Sequence, residues 1–416
     1  MFEEPSTAYT LYLRGDGMNA DVLCSSCCEL DEPAPPVQIC MECFEHLIAE
    51  NEWDETRGAL TLPTELPSLE LTDAALEQLC GLPPERSGHA VRETPEGHII
   101  AAVVADRELV LFDSSRGDGW QTITRLPEQY VGDATGNETS PFGNSIAGAT
   151  HVAISPSGRF IAVASQKGQH GGVYDRDIND FSMTTDRGDY HTEVCAYPLT
   201  FFEDRGEEYV VHASDWNRLD ISDPRTGELL TERKSPTHEE DRYLDYFHCG
   251  LTISPDSKWI ADAGWVWHPM GISVAWKLEP WLRGNPWESE DGDSIVSSQL
   301  AQTENWDGPI CFIGDKLVHS GLWSQGYDTT RGFTIFDLES GELVALLAGP
   351  DGFAHVLAWT GERLVAGYGS ECYIWDVDAM RCVGKCADAK LIAHLEGNTF
   401  VVERADAWFI AELPRG

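Results

Sequence analysis

One unit recurs along most of this chain: an apolar strand, a tight turn rich in Gly, Pro, Asp or Ser, and a second apolar strand. The clearest copies are HVAISPSGRFIAVAS from His151 and LTISPDSKWIADAG from Leu251. Weaker ones are RETPEGHIIAAVV from Arg92, LTFFEDRGEEYVVHAS from Leu199, ICFIGDKLVHSG from Ile310, VLAWTGERLVAGYG from Val356 and LIAHLEGNTFVVERA from Leu391, seven in all. The turns follow one another at roughly 35 to 60 residues, against about 40 to 45 for a four-stranded propeller blade, so the long intervals carry loop insertions. After most hairpins comes a third short strand that ends in an aromatic or an acid: LVLFD at Leu109, GVYD at Gly172, RLDIS at Arg218, FTIFD at Phe333 and YIWDV at Tyr373. A β-sandwich would need fewer turns at closer spacing, and an open solenoid would need stricter repeats with capping ends. The expected fold class is all-β, a seven-bladed β-propeller.

The strand endings resemble those of the WD-repeat family, whose blade reads apolar-SPDG-apolar, loop, apolar-WD. Trp375 and Asp376 keep the pair outright, while Gly88 and His89 are the one good match to the family's Gly-His pair. In that family the loop between the second and third strands of each blade, and the start of the first strand, open on one face around the central channel. The resemblance therefore places His170, Trp216, Trp265, Trp267, His268, Trp323, Tyr327 and Tyr368 on that face, with His151, His248 and His355 at the strand starts. Amphipathic rings are what protein interfaces concentrate at their anchors. The expectation is a protein or peptide partner, and Asp215 and Asp262 nearby suit one bearing Lys or Arg, to which the ring faces add cation–π attraction.

The seventh repeat ends at Pro414 after three strands, so an outer strand must come from the N-terminal region if its edge is to be covered. GALTLPTEL from Gly58 and YTLYLRG from Tyr9 are the two candidates. Between them and the first blade, LTDAALEQLCGLPP reads as a short connecting helix, capped by Thr72 or Asp73, followed by Gly81 and stopped by Pro83.

Cys24 and Cys27, then Cys40 and Cys43, form two CxxC pairs, a spacing that lets four thiolates surround one Zn²⁺. Residues 1–57 are accordingly read as a zinc-binding module similar to zinc ribbons and treble clefs, and 58–416 as the propeller. Cys28 and His46 lie close enough to replace a ligand. Four protein ligands leave no open coordination position, so the zinc would be structural.

With 70 acidic and 28 basic residues the formal charge is −42, which repels phosphate backbones and anionic membranes and steers basic partners inward. Neither direct nucleic-acid binding nor membrane association is expected. The N-terminus has no basic segment followed by an apolar run, and single cysteines within apolar strands fit a reducing, cytoplasmic setting. No nucleophile elbow, phosphate loop, metalloprotease helix or dinucleotide fingerprint is present. The favoured reading is a non-catalytic scaffold or adaptor. The alternative is a propeller enzyme, a metal-assisted lyase or hydrolase using His151, His248 and His355 at the channel mouth.

Overall fold

All seven repeats form antiparallel sheets at the positions read from the sequence. The computed structural model describes residues 11–14, 21–24, 62, 66–69, 77–78, 86–132, 149–234, 244–266, 270–297, 306–321, 332–350, 352–404 and 407–413. Blade one comprises Arg86–Glu93, Ile99–Ala105, Glu108–Asp113 and Gln121–Arg125, and blade two Thr150–Ile154, Phe160–Ser165, His170–Asp175 and Asp180–Asp186. Blade three has Leu199–Asp204, Glu207–Asp215 and Arg218–Ser222, its fourth strand reduced to a single bridge between Ser222 and Leu229. Blade four runs through Phe247–Ile253, Trp259–Val266, Met270–Lys277 and Val296–Ser297. Blade five is Ile310–Ile313, Lys316–Ser320, Phe333–Asp337 and Leu343–Leu347, and blade six Val356–Trp359, Leu364–Tyr368, Glu371–Asp376 and Arg381–Cys386.

The turn chemistry explains why these hairpins form where they do. In the SPSG turn of blade two the Ser155 hydroxyl accepts the Phe160 N–H at 3.1 Å, and Gly158 takes the left-handed conformation the turn demands, φ 75°. The SPDS turn of blade four repeats the arrangement, Ser254 accepting the Trp259 N–H at 2.9 Å, with Ser257 forced to φ 54° where blade two has glycine. The second strands are mostly apolar on both sides instead of alternating because each blade is covered on both faces by its neighbours, and the exceptions in their middles, such as Asp262, are just as inaccessible. Ala101 to Val104, Ile161 to Ala164 and Ile260 to Ala263 are all essentially inaccessible. First strands of successive blades touch in cyclic order, and Lys390–His394 of blade seven meets Arg86–Glu93 of blade one, which closes the ring.

Blade seven consists of Lys390–His394, Thr399–Arg404 and Ala407–Glu412, completed by Glu77–Gln78 from the N-terminal side, with Gln78 opposite Phe409 and Glu77 opposite Ile410. An N-terminal strand does close the propeller, but neither expected segment supplies it. Leu11–Arg14, within the Tyr9 candidate, pairs instead with Asp21–Cys24 in its own hairpin. The expected helix is also corrected, since Glu77 and Gln78, in its middle, are extended. A helix this short is marginal in water, whereas the outer edge of blade seven offers unpaired backbone groups, so strand pairing wins. Upstream, residues 66–69 lie along blade six: the Leu69 N–H donates to the Lys385 carbonyl at 2.8 Å and the Lys385 N–H to the Pro67 carbonyl at 3.0 Å. Leu62 and Leu66 pack into the cores of blades five and six, and Leu69 into that of blades six and seven.

An insertion between the third and fourth strands of blade four carries the short helices Leu278–Arg283 and Glu288–Asp291. It is tied to blade three by Arg233, which bridges Asp220 at 2.5 Å and Glu290. No helix among the described residues is long and apolar enough to cross a membrane.

Polar contacts also join blades in the interior. His319 of blade five meets the Ser273 hydroxyl of blade four through Nδ1, and burial lowers its pKa to about 4. The unfolded chain therefore binds a proton near pH 6.5 that the folded chain refuses until about pH 4, and stability is lost as pH falls through that window. At up to about 1.4 kcal/mol per pH unit, lowering the pH from 7 to 5 is expected to cost wild type about 2 kcal/mol more than His319→Gln. Urea denaturation at the two pH values checks this, and equal losses would count against it.

Candidate docking site

Chain direction fixes which residues share a face. Each first strand starts on one side of the ring, here called the upper face, and the connections between blades and the turns between second and third strands lie on that side. On it, an aromatic run spans blades three to five. Tyr190, in the connection from blade two to blade three, stacks on Phe247 at 6.0 Å between ring centroids and leans on Trp216 at 5.1 Å. Trp216 touches Phe247 at 4.5 Å, Phe247 touches its cross-strand partner Trp265 at 4.6 Å, and Trp265 continues to Trp306 at 5.8 Å. Phe247, Trp265 and Trp306 are buried, Trp216 is half-buried, and Tyr190 is 45% exposed. The run thus rises from the core to solvent.

The segment bearing Tyr190 is held by a buried arginine. The Arg187 guanidinium, 4% exposed, donates to the carbonyls of Gly168 at 2.8 Å, Thr192 at 3.0 Å, and Ala196 and Cys195 at 3.1 Å, and lies over the Tyr197 ring at 5.0 Å. Its five fixed donors let one side chain satisfy the carbonyls of a curled loop. Burial lowers its pKa, though from so high a value that it stays charged. A second clasp comes from the connection between blades four and five. Asp307 accepts from Lys167 and from the Ala196 N–H, each at 2.9 Å, and the Trp306 indole donates to the Val194 carbonyl at 3.0 Å. Beneath, the Gly264 N–H donates to the Tyr246 hydroxyl at 2.9 Å, and a Cβ at Gly264 would come within 2.2 Å of that oxygen, so only glycine fits there.

The residues singled out from the sequence divide by environment. Trp216 and Trp265 come together through Phe247. Trp265 and His248 are buried and can act only from beneath, His248 meeting Asp262 through Nδ1. His151 and His355 do parallel work between blades: each Nε2 N–H donates at 2.9 Å to a carbonyl of the next first strand, Leu199 and Leu391 respectively, and burial lowers both pKa values. His170 is half-buried and faces Asp186 at 3.4 Å, and Tyr368 packs edge-on against Tyr373. Trp267, His268, Trp323 and Tyr327 lie outside the described residues. So do Cys27, Cys28, Cys40, Cys43 and His46, whereas Cys24 ends the strand Asp21–Cys24. Among the described residues no group of three or more His, Cys, Asp or Glu side chains is placed to hold a metal ion, and the three channel-mouth histidines each have a partner of their own. Tyr190, Phe247, Trp306 and Arg187 had escaped sequence reasoning. Tyr190, Trp306 and Arg187 sit in connections between blades, where the repeat pattern carries no signal, and Phe247 directly precedes His248 at the start of a first strand.

No family model matches the sequence, and no curated protein matches it. In three dimensions 1056 chains of solved structures do. One, from the crystal structure of the mitotic checkpoint complex, superposes with a TM-score of 0.50, covering 85% of this chain and 99% of its own at 12% identity. The shared fold is the seven-bladed β-propeller. At so low an identity the likeness concerns architecture alone, which the ring of blades already displays.

Proposed function

We propose that this chain is a non-catalytic protein-interaction scaffold that receives a basic peptide or protein segment on its upper face. The observation that carries the reading is the aromatic run surfacing at Tyr190 over the buried base of Phe247, Trp265 and Trp306. Tyr190 and Phe353, two of the three large hydrophobic side chains exposed among the described residues, are both in upper-face connections. Rigid aromatics on a packed base lose little entropy on binding, which suits an anchor. Carboxylates border the run at Asp186, Asp189, Glu193 and Asp215, and the chain's charge of −42 draws cationic segments toward them.

The test is capture from native lysate compared between wild type and the Tyr190→Ala, Trp216→Ala variant. The variant is expected to lose more than about 90% of at least one captured protein, since anchors of this kind contribute on the order of 2 kcal/mol each, while its thermal midpoint stays close to wild type. Identical capture by the two proteins would overturn the reading.

Cys24, Cys27, Cys40 and Cys43 are proposed as the ligands of one structural zinc, on the chemistry of a four-thiolate donor set. Elemental analysis of the purified protein is expected to find about one zinc per chain, lost in the Cys24→Ser, Cys40→Ser variant. Absence of zinc from wild type would remove the assignment.

A further inference from the structure

Blade six contains two cysteines that directly face each other across adjacent strands. Cys372, at the start of the third strand, is in register with Cys386, the last residue of the fourth. Both are buried free thiols in the same core cluster, in hydrogen-bond contact with one another. Facing residues of an antiparallel pair have Cα atoms about 4.5 to 5.5 Å apart, within the span of about 4.4 to 6.8 Å that a disulfide bridges. The backbone therefore need not move for a bond to form. A third group completes the arrangement: the guanidinium Nε of Arg404, at the end of the second strand of blade seven, is buried with no hydrogen-bond partner among the described residues. The hydrogen bond from Cys372 and the positive charge of Arg404 both draw the Cys386 pKa down against its burial, whereas Cys372 is pushed up. One thiol of the pair is thus favoured as thiolate and the other as its proton-bearing partner. Ser370, Ala387 and Asp388, in the turns immediately above, are exposed, so the pair lies one residue beneath the upper face.

We propose that Cys372 and Cys386 are a reversible dithiol–disulfide pair, with Cys386 as the attacking thiolate, whose oxidation clamps the outer strand of blade six and the N-terminal segment lying on it. The oxidant class is a hydroperoxide. The Cys386 thiolate attacks the peroxide oxygen and cleaves the O–O bond; with hydrogen peroxide, proton uptake releases water and leaves a sulfenic acid. The Cys372 sulfur then attacks the Cys386 sulfur, the S–O bond breaks, and the hydroxyl departs with the Cys372 proton as a second water. Two thiols give up two electrons, and the peroxide is reduced. Because the neighbouring Lys385 exchanges backbone hydrogen bonds with Pro67 and Leu69, the disulfide would fix the strand that anchors the N-terminal segment.

The experiment treats the folded full chain with hydrogen peroxide, alkylates it, and digests it with trypsin without reduction. Peptides 364–381 and 386–390 are expected to be joined, while 382–385, carrying Cys382, stays alkylated and alone. Arg404→Gln is expected to slow the joining severalfold at an unchanged thermal midpoint, because loss of the neighbouring positive charge lowers the share of thiolate in the pair. Cys372→Ser is expected to leave Cys386 to proceed to sulfinic acid. Full alkylation of Cys386 after peroxide, or its joining to Cys382, would overturn the pair, and a Cys386 that stays a free thiol after peroxide in Cys372→Ser would overturn Cys386 as the attacking thiolate.

Discussion

Replacing Arg187 by Met is expected to destabilise the protein by about 3 to 5 kcal/mol and to release the Tyr190 segment from the upper face. The four carbonyls within 3.1 Å of the guanidinium, those of Gly168, Thr192, Cys195 and Ala196, converge because one planar cation satisfies them together. Each carbonyl left unsatisfied in the interior costs on the order of 1 to 3 kcal/mol, and water entering at the loop's open side recovers part of the total. Met keeps the length and apolar stem but brings no donors. Arg187→Lys tests the fork, since an ammonium has only three donors and cannot lie flat on Tyr197, so an intermediate loss is expected. Denaturant titration gives the stability, and quenching of tryptophan fluorescence by acrylamide reports release of the segment from Trp216. A loss below about 1 kcal/mol for Arg187→Met would show that Asp307 and Lys167 hold the segment without it.

How much of this could be read in advance follows from which residues the repeat governs. Inside a blade, local chemistry and tertiary packing demand the same thing. A Ser-Pro turn such as that at Ser155 to Gly158 closes a hairpin by itself, and strands such as Phe160–Ser165 must be apolar on both sides to fit between neighbouring blades. Seven hairpins were therefore legible, as was the missing strand of blade seven. The identity of that strand was not. Glu77 and Gln78 have no strand character of their own, and their conformation is imposed by Phe409 and Ile410, more than 300 residues away in sequence. The same limit applied at the docking site. Trp216 and Trp265 are visible because they adjoin blade strands, but Arg187 and Tyr190 belong to a connection whose shape is set by long-range contacts to Asp307 and Trp306. His151, half-buried, and His355, exposed, each also bond the next blade's carbonyl, a contact the sequence leaves open because a backbone carbonyl is not a residue-specific feature.

The N-terminal segment is where closure can be tested without touching a blade. Removing residues 1–84 takes away the two-residue strand on blade seven, the pairing at Lys385 and the packing of Leu62, Leu66 and Leu69. Partial burial of three leucines stabilises by about 1 kcal/mol each, and the lost backbone bonds contribute about 1 kcal/mol each more. A fall of about 4 kcal/mol or more is therefore expected. The truncation also bares the Ala407–Glu412 edge, which invites pairing with a second chain. Charge opposes that association, so dimers should appear in sedimentation velocity at about 1 M salt, where the Debye length is about 3 Å, and recede at low salt. Gly384→Val separates the two effects. A Cβ there would lie 2.6 Å from the Leu69 Cδ1 and 3.1 Å from the Pro67 carbonyl oxygen, so the branched side chain should lift the segment off blade six while Glu77–Gln78 remains paired. Lower stability without salt-induced dimers is the expected result for Gly384→Val. A truncated protein as stable as wild type and monomeric at high salt would mean that inner-strand contacts close the ring unaided and that the segment merely rests on it.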